Sequence, residues 1–150
     1  MRLPLLAFLF AAALAAAVAG CGSDDESGSG GQPASTVNLS VKVEDGNGKV
    51  ARATLDCEDG GGAHGSGFLS ASADQHCADA VRMQKLLTTQ PRKDQVCTQL
   101  YGGPQTAHIA GTLAGETVAR DLSRTNGCAI ADWKSAEPLL APSGIRPAGP

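Results

Sequence analysis

The segment Cys97-Thr98-Gln99-Leu100-Tyr101-Gly102-Gly103-Pro104 offers the most specific chemistry in the chain. A cysteine leads into four residues able to lie extended, and a Gly-Gly-Pro break follows. Such a segment suits a rigid peptide presented to a protease. It equally suits an ordinary turn beside a crosslink. Other constellations are weaker. His64, His76 and His108, with the chain's many Ser and Asp residues, hold the ingredients of a hydrolytic triad, but no G-x-S-x-G elbow is present. Cys57, His64, His76 and Cys77 include zinc-type donors, yet oxidised cysteines do not ligate metal. Gly60-Gly61-Gly62 lacks the Lys-Ser/Thr ending of a phosphate loop and reads as a flexible loop. The expectation is therefore a protein with no catalytic residues, no metal and no cofactor.

The start of the chain sets the compartment. Arg2 supplies a positive n-region, and Leu3 to Val18 is an apolar run of signal-peptide length, short for a membrane span. Val18-Ala19-Gly20-Cys21 then matches the bacterial lipobox pattern, small residues followed at once by cysteine. Residues 1–20 are expected to be a lipoprotein signal peptide, with Cys21 lipidated and becoming the first residue of the exported chain. Ordinary cleavage nearby, leaving Cys21 as a free thiol, is the alternative. Each buried methylene of an acyl chain contributes about 0.8 kcal/mol, so two or three chains anchor firmly to the outer face of the cell membrane. Residues 21–36, rich in Gly, Ser and acid (Asp24, Asp25, Glu26), form an expected flexible tether. The Pro- and Gly-rich residues 142–150 read as a loose tail.

That leaves one small domain over 37–141. Its aromatics are Phe68, Tyr101 and Trp133, few for a domain of this size, so crosslinks are expected to supplement the core. Four cysteines remain besides Cys21: Cys57, Cys77, Cys97 and Cys128. An even count in an exported chain implies two disulfides, each contributing on the order of 3 kcal/mol. Three pairings are open to four cysteines, and counting does not choose among them. The chain carries twelve Lys and Arg, eleven without Arg2, against fifteen Asp and Glu. A mildly acidic surface without a basic cluster argues against nucleic acid as a partner.

Strict alternation over Val37, Leu39, Val41 and Val43 predicts a half-buried strand. Asp45-Gly46-Asn47-Gly48 turns it, and Val50 to Cys57 returns with Ala51, Ala53 and Leu55 on one face. Residues 58–71 show no period and read as a long loop. Ser72-Ala73-Asp74-Gln75 fits a capping box. Cys77, Ala80, Val81, Gln84 and Leu87 then recur at helical spacing, predicting about four turns ended by Pro91. Cys77 and Val81 are assigned to the core side, and Met83 to core or gap filling. Ala107, Ile109, Gly111 and Leu113 alternate as a strand, which places His108 on the solvent side. Ala114-Gly115-Glu116 turns it, Thr117 to Arg124 returns, and Asn126-Gly127-Cys128 closes that hairpin. Residues 129–140, around Trp133, fit either a strand or a short helix, and Trp133 is expected to pack beneath the sheet near Cys128. The order gives an α+β fold: an antiparallel β-sheet with one main helix, and room for a short second one, packed on one face.

The cysteine frame as a whole resembles the Streptomyces subtilisin inhibitor-like family. The stretches carrying the likeness are "ATLDCEDGGGAHG", "HCADAV", "VCTQLYGGP" and "GETVARDLSRTNGC", and together they span about residues 37–135. The resemblance implies an antiparallel sheet carrying helices and the pairings Cys57–Cys77 and Cys97–Cys128. It implies a reactive-site bond between Gln99 (P1) and Leu100 (P1′), flanked by Thr98 (P2) and Tyr101 (P2′). Inhibitors of this family form homodimers through the sheet, so a homodimer is part of the expectation. The implied mechanism is substrate mimicry. A protease binds extended peptide by main-chain hydrogen bonds, and a loop already held in that shape loses little entropy on binding.

The expected function is therefore that of a lipid-anchored inhibitor of an extracytoplasmic, subtilisin-like serine protease. Two features depart from the family pattern. Gln99 is polar where a subtilisin-type pocket prefers a larger apolar side chain, and Gly102-Gly103 adds backbone freedom after the bond. Both motivate the alternative, a noncatalytic cell-envelope lipoprotein that binds another protein on the same scaffold.

Overall fold

A computed structural model describes residues 36–146. The expected signal peptide, Cys21, nearly all of the tether and the last four residues of the tail lie outside the described residues. Five antiparallel strands form one sheet, in the order β3-β2-β1-β4-β5. They are β1 (Val37–Glu44), β2 (Val50–Glu58), β3 (Gly62–Gly65), β4 (Thr106–Leu113) and β5 (Glu116–Leu122). Helices α1 (Ala73–Arg82), α2 (Gln84–Thr88) and α3 (Gly127–Leu140) complete an α+β fold.

Alternation explains the sheet. Val37, Leu39, Val41 and Val43 of β1 are buried, while Asn38 and Ser40 face outward. β1 is the central strand and pairs residue for residue with β2 (Leu39 with Leu55) and β4 (Val41 with Ile109). Inward side chains of all four long strands meet Ala80, Leu87, Trp133, Ala136, Leu139 and Leu140 from the helices in one core. Burying one face of each element removes apolar area from water at about 25 cal/mol per Å².

Several local expectations are revised. The glycine-rich segment after Cys57 is not wholly loop. Gly62–Gly65 pairs with the end of β2, and Ser66 receives a second tie there, its Oγ accepting from the Thr54 amide at 3.1 Å. Pairing with a neighbouring strand needs only main chain, so periodicity gave no sign of it. Ser72 does not form a capping box: its backbone is left-handed (φ 60°, ψ 40°) and its side chain makes no cap bond. The expected four-turn helix is interrupted at Met83 (φ −93°, ψ 6°), separating α1 from α2. The buried stripe runs through Ala73, His76, Asp79, Ala80, Met83 and Leu87, with Cys77 and Val81 only partly buried beside it.

Residues 127–140 are a helix, the longest of the fold. Asn126 caps it, its Oδ1 accepting from the Ala129 amide at 2.9 Å, rather than closing a hairpin. Trp133 is buried beneath the sheet as expected, at 3 % exposure. The ordered fold also runs past residue 141, because Ile145 is 4 % exposed and belongs to the core.

Candidate protease-contact loop

Both disulfides are present as Cys57–Cys77 and Cys97–Cys128. The first ties β2 to α1, closing 20 residues. The second ties the loop between α2 and β4 to the first turn of α3, closing 31 residues. That loop has no regular secondary structure from Gln90 to Gln105, apart from a turn at Lys93-Asp94. It is nevertheless fastened along its length. The Gln90 side chain donates to the Ala119 carbonyl of β5 at 2.9 Å. Cys97 is crosslinked. The Gly127 amide donates to the Thr98 carbonyl at 2.9 Å, and the Gly102 amide donates to the Arg124 carbonyl at 2.7 Å.

Between those two main-chain bonds, Gln99, Leu100 and Tyr101 project. Gln99 is exposed, Leu100 is 60 % exposed and Tyr101 69 %. Val96, on the other side of the crosslinked cysteine, is 95 % exposed. Three of the four exposed large apolar side chains among the described residues thus lie within six positions of one loop. Scattered single exposures of this kind are ordinary, whereas a cluster on one fastened loop makes it a candidate contact surface. Water gains nothing from the clustering, whereas a partner with apolar pockets does.

The loop's approach to α3 depends on a missing side chain. A Cβ at Gly127 would collide with the Thr98 hydroxyl, so the glycine at the start of α3 lets the loop lie against the helix end. The expectation that Gly102-Gly103 loosens the loop is revised as well. The Gly102 amide is bonded, and a Cβ there would press against Ile130 at 3.0 Å. Gly103 sits at φ +128°, a conformation that side chains rarely adopt. These glycines serve close packing of the folded loop, at the cost of extra freedom in the unfolded chain.

Thr98, Gln99, Leu100 and Tyr101 are therefore brought together as one exposed, tethered segment without regular secondary structure, with the Cys97–Cys128 crosslink at its start. Sequence reasoning did not single out Val96, Gly127 or Arg124. Val96 was legible as an apolar residue next to Cys97 in an otherwise polar stretch. The roles of Gly127 and Arg124 exist only through tertiary contact.

The three histidines do not converge. His64 lies on edge strand β3 and His76 is buried in α1. His108 faces solvent on β4, with Nδ1 2.7 Å from Asp121 Oδ1. Among the described residues no group of three or more His, Cys, Asp or Glu is placed to hold a metal ion. No helix among them is long and apolar enough to cross a membrane. A cavity of about 300 Å³ lies under the crosslink, lined by Cys97, Arg120, Asn126 and Cys128 among others. Arg120 is buried there and pairs with Asp132.

No family model matches the chain, and no curated protein or solved structure is significantly similar to it.

Proposed function

We propose that this protein is a lipid-anchored inhibitor of an extracytoplasmic serine protease of the subtilisin type, and that residues 98–101 occupy the protease cleft. The reading rests on one observation above others: Gln99, Leu100 and Tyr101 stand exposed between two main-chain hydrogen bonds, with a disulfide two residues before Gln99. Main-chain groups of such a segment add to a protease as an extra strand, and alternate side chains fill its pockets. Prior fastening lowers the ordering cost, on the order of 1 kcal/mol per residue fixed. Gln99 is the P1 residue and Leu100 the P1′ residue. Cleavage between them is slow because both new ends stay attached to the body. Lipidation of Cys21 holds the domain at the outer membrane face.

The test is inhibition of subtilisin and of trypsin by the protein and by its Gln99→Met variant. An apolar P1 side chain adds roughly 1–2 kcal/mol of pocket burial, so Met at 99 is expected to tighten subtilisin binding about tenfold or more. If both proteins are inert, or are digested at Gln99–Leu100 as ordinary substrates, the inhibitor reading fails. The loop would then be the contact surface of a noncatalytic envelope protein, the reading that polar Gln99 favours, and its partner would be sought by crosslinking through residue 99.

A further inference from the structure

We propose that Arg124, braced by Gln105, is the positioning residue that holds the segment after the Gln99–Leu100 bond, and so sets whether that bond is retained or cut. This deepens the inhibitor reading and rests on it.

The two flanks of the loop are fastened differently. Before the bond, Cys97 is covalently joined to α3 and the Thr98 carbonyl accepts from Gly127. After the bond there is no crosslink. The first fixed point is the Gly102 amide, bonded to the Arg124 carbonyl at 2.7 Å. The side chain of the same arginine turns onto the same segment. Its Nη2 lies 3.2 Å from where a Cβ of Gly102 would sit, and its Nη1 lies 3.3 Å from where a Cβ of Gly103 would sit. Nη1 donates to Gln105 Oε1 at 3.1 Å. Gln105 is itself buried, at 5 % exposure, and its Oε1 occupies the space a side chain at Gly103 would need. A guanidinium is a rigid planar fork, so anchoring one N–H on Gln105 fixes the plane that covers Gly102 and Gly103. A lysine cannot reproduce that plane.

The consequence follows from the chemistry of cleavage. The protease nucleophile attacks the Gln99 carbonyl, the bond to Leu100 nitrogen breaks, and that nitrogen leaves as an amine after taking up a proton. Two fates compete for the acyl-enzyme. The Leu100 amine attacks back and restores the peptide bond, or water attacks and releases a Gln99 carboxylate. Return requires the amine to stay within reach, at high effective concentration. Residues up to Gln99 are held by the disulfide in either case. Leu100 and Tyr101 are held only through Gly102 onward, which is the segment Arg124 covers.

The experiment compares the parent protein with Arg124→Met, Arg124→Lys and Gln105→Met. Each is incubated with subtilisin and the cut fraction at Gln99–Leu100 is followed by mass spectrometry. Amide exchange at Gly102 in the free protein and the thermal midpoint are measured alongside. Arg124→Met is expected to be cut about tenfold faster than the parent and to exchange Gly102 faster, with Arg124→Lys close to it because the fork is lost. A lowered thermal midpoint with neither faster cutting nor faster Gly102 exchange would overturn the proposal, and so would no change at all. If Arg124→Met fails to fold, Arg124→Lys and Gln105→Met carry the same comparison. Should the parent prove to be a plain substrate, the inhibitor reading fails first. Gly102 exchange then decides the positioning role separately: faster in the variants keeps it, unchanged removes it.

Discussion

A carboxylate at position 44 shows how much the outer face of the sheet depends on single partners. Glu44 accepts from Lys42, whose Nζ lies 2.8 Å from Oε1, and Thr106 donates to Oε2 at 3.4 Å. The hydrogen bond from Lys42 is the largest influence, followed among the favourable ones by the Lys42 charge, the Thr106 hydroxyl and the Arg52 charge, and together they hold the Glu44 carboxyl below its ordinary range. A lowered native pKa means that the unfolded chain takes up the proton first. The contribution is present above the ordinary carboxylate value, about 4.3, and is lost as pH falls through the native value. Lys42→Met is expected to return the Glu44 titration toward the ordinary value, and an NMR titration of the Glu44 side chain checks this. No such leverage is available to Gln99, which does not titrate. In the inhibitor reading its side chain would act through fit alone, so its replacement is best read in binding constants.

Helix α3 carries the loop, and its first turn is where fold and site meet. Asn126 caps the helix, Gly127 gives its amide to Thr98, and Cys128 carries the crosslink. Asn126→Ala removes the cap and is expected to cost about 1 kcal/mol in denaturant unfolding. It should also speed amide exchange at Gly127, whose bond to the Thr98 carbonyl depends on the position of that turn. The same helix shows why the sequence was only partly legible. Strands β1 and β4 were readable because a half-buried strand writes its two faces as strict alternation. Over 127–140 the buried positions Trp133, Ala136, Leu139 and Leu140 do recur at helical steps, but they are few and mixed in size, and Pro138 within them argues against a helix on sequence grounds. Asn126 stood in an Asn-Gly pair, which signals a hairpin, and so its role as the helix cap was missed. In α1 the buried stripe includes His76 and Asp79, polar residues that pattern reading assigns to the surface. The exposed loop was legible in position because a cysteine and a Gly-Gly-Pro break bracket it. Its fastening was not, because each tie reaches to β5, to α3 or to the segment between them, far away in the sequence.

Across the whole molecule the two crosslinks do different work. Cys57–Cys77 lies within the core layer, where β2, β3 and α1 already pack. Cys97–Cys128 closes a larger ring around a loop that contributes no core residue of its own. Loop-closure arithmetic assigns roughly 3–4 kcal/mol to either bridge. Replacing both Cys97 and Cys128 by Ser is expected to lower unfolding stability by about 3 kcal/mol. The protein should remain folded around its sheet while proteolysis in the 97–101 region becomes much faster. Limited digestion with mapping of the first cut checks this. A first cut elsewhere would show that the crosslink supports the body more than the loop.

The central position of β1 has a further consequence. The chain enters the sheet at Val37, opposite Cys57 and Leu113, and β1 ends at Glu44, opposite Thr106. Pro104, at the close of the loop, packs against Gly46 just beyond that far end. Eight residues at about 3.3 Å each put the two ends of β1 some 25 Å apart. The loop that carries Gln99, Leu100 and Tyr101 therefore enters β4 at the end of β1 that lies far from Val37.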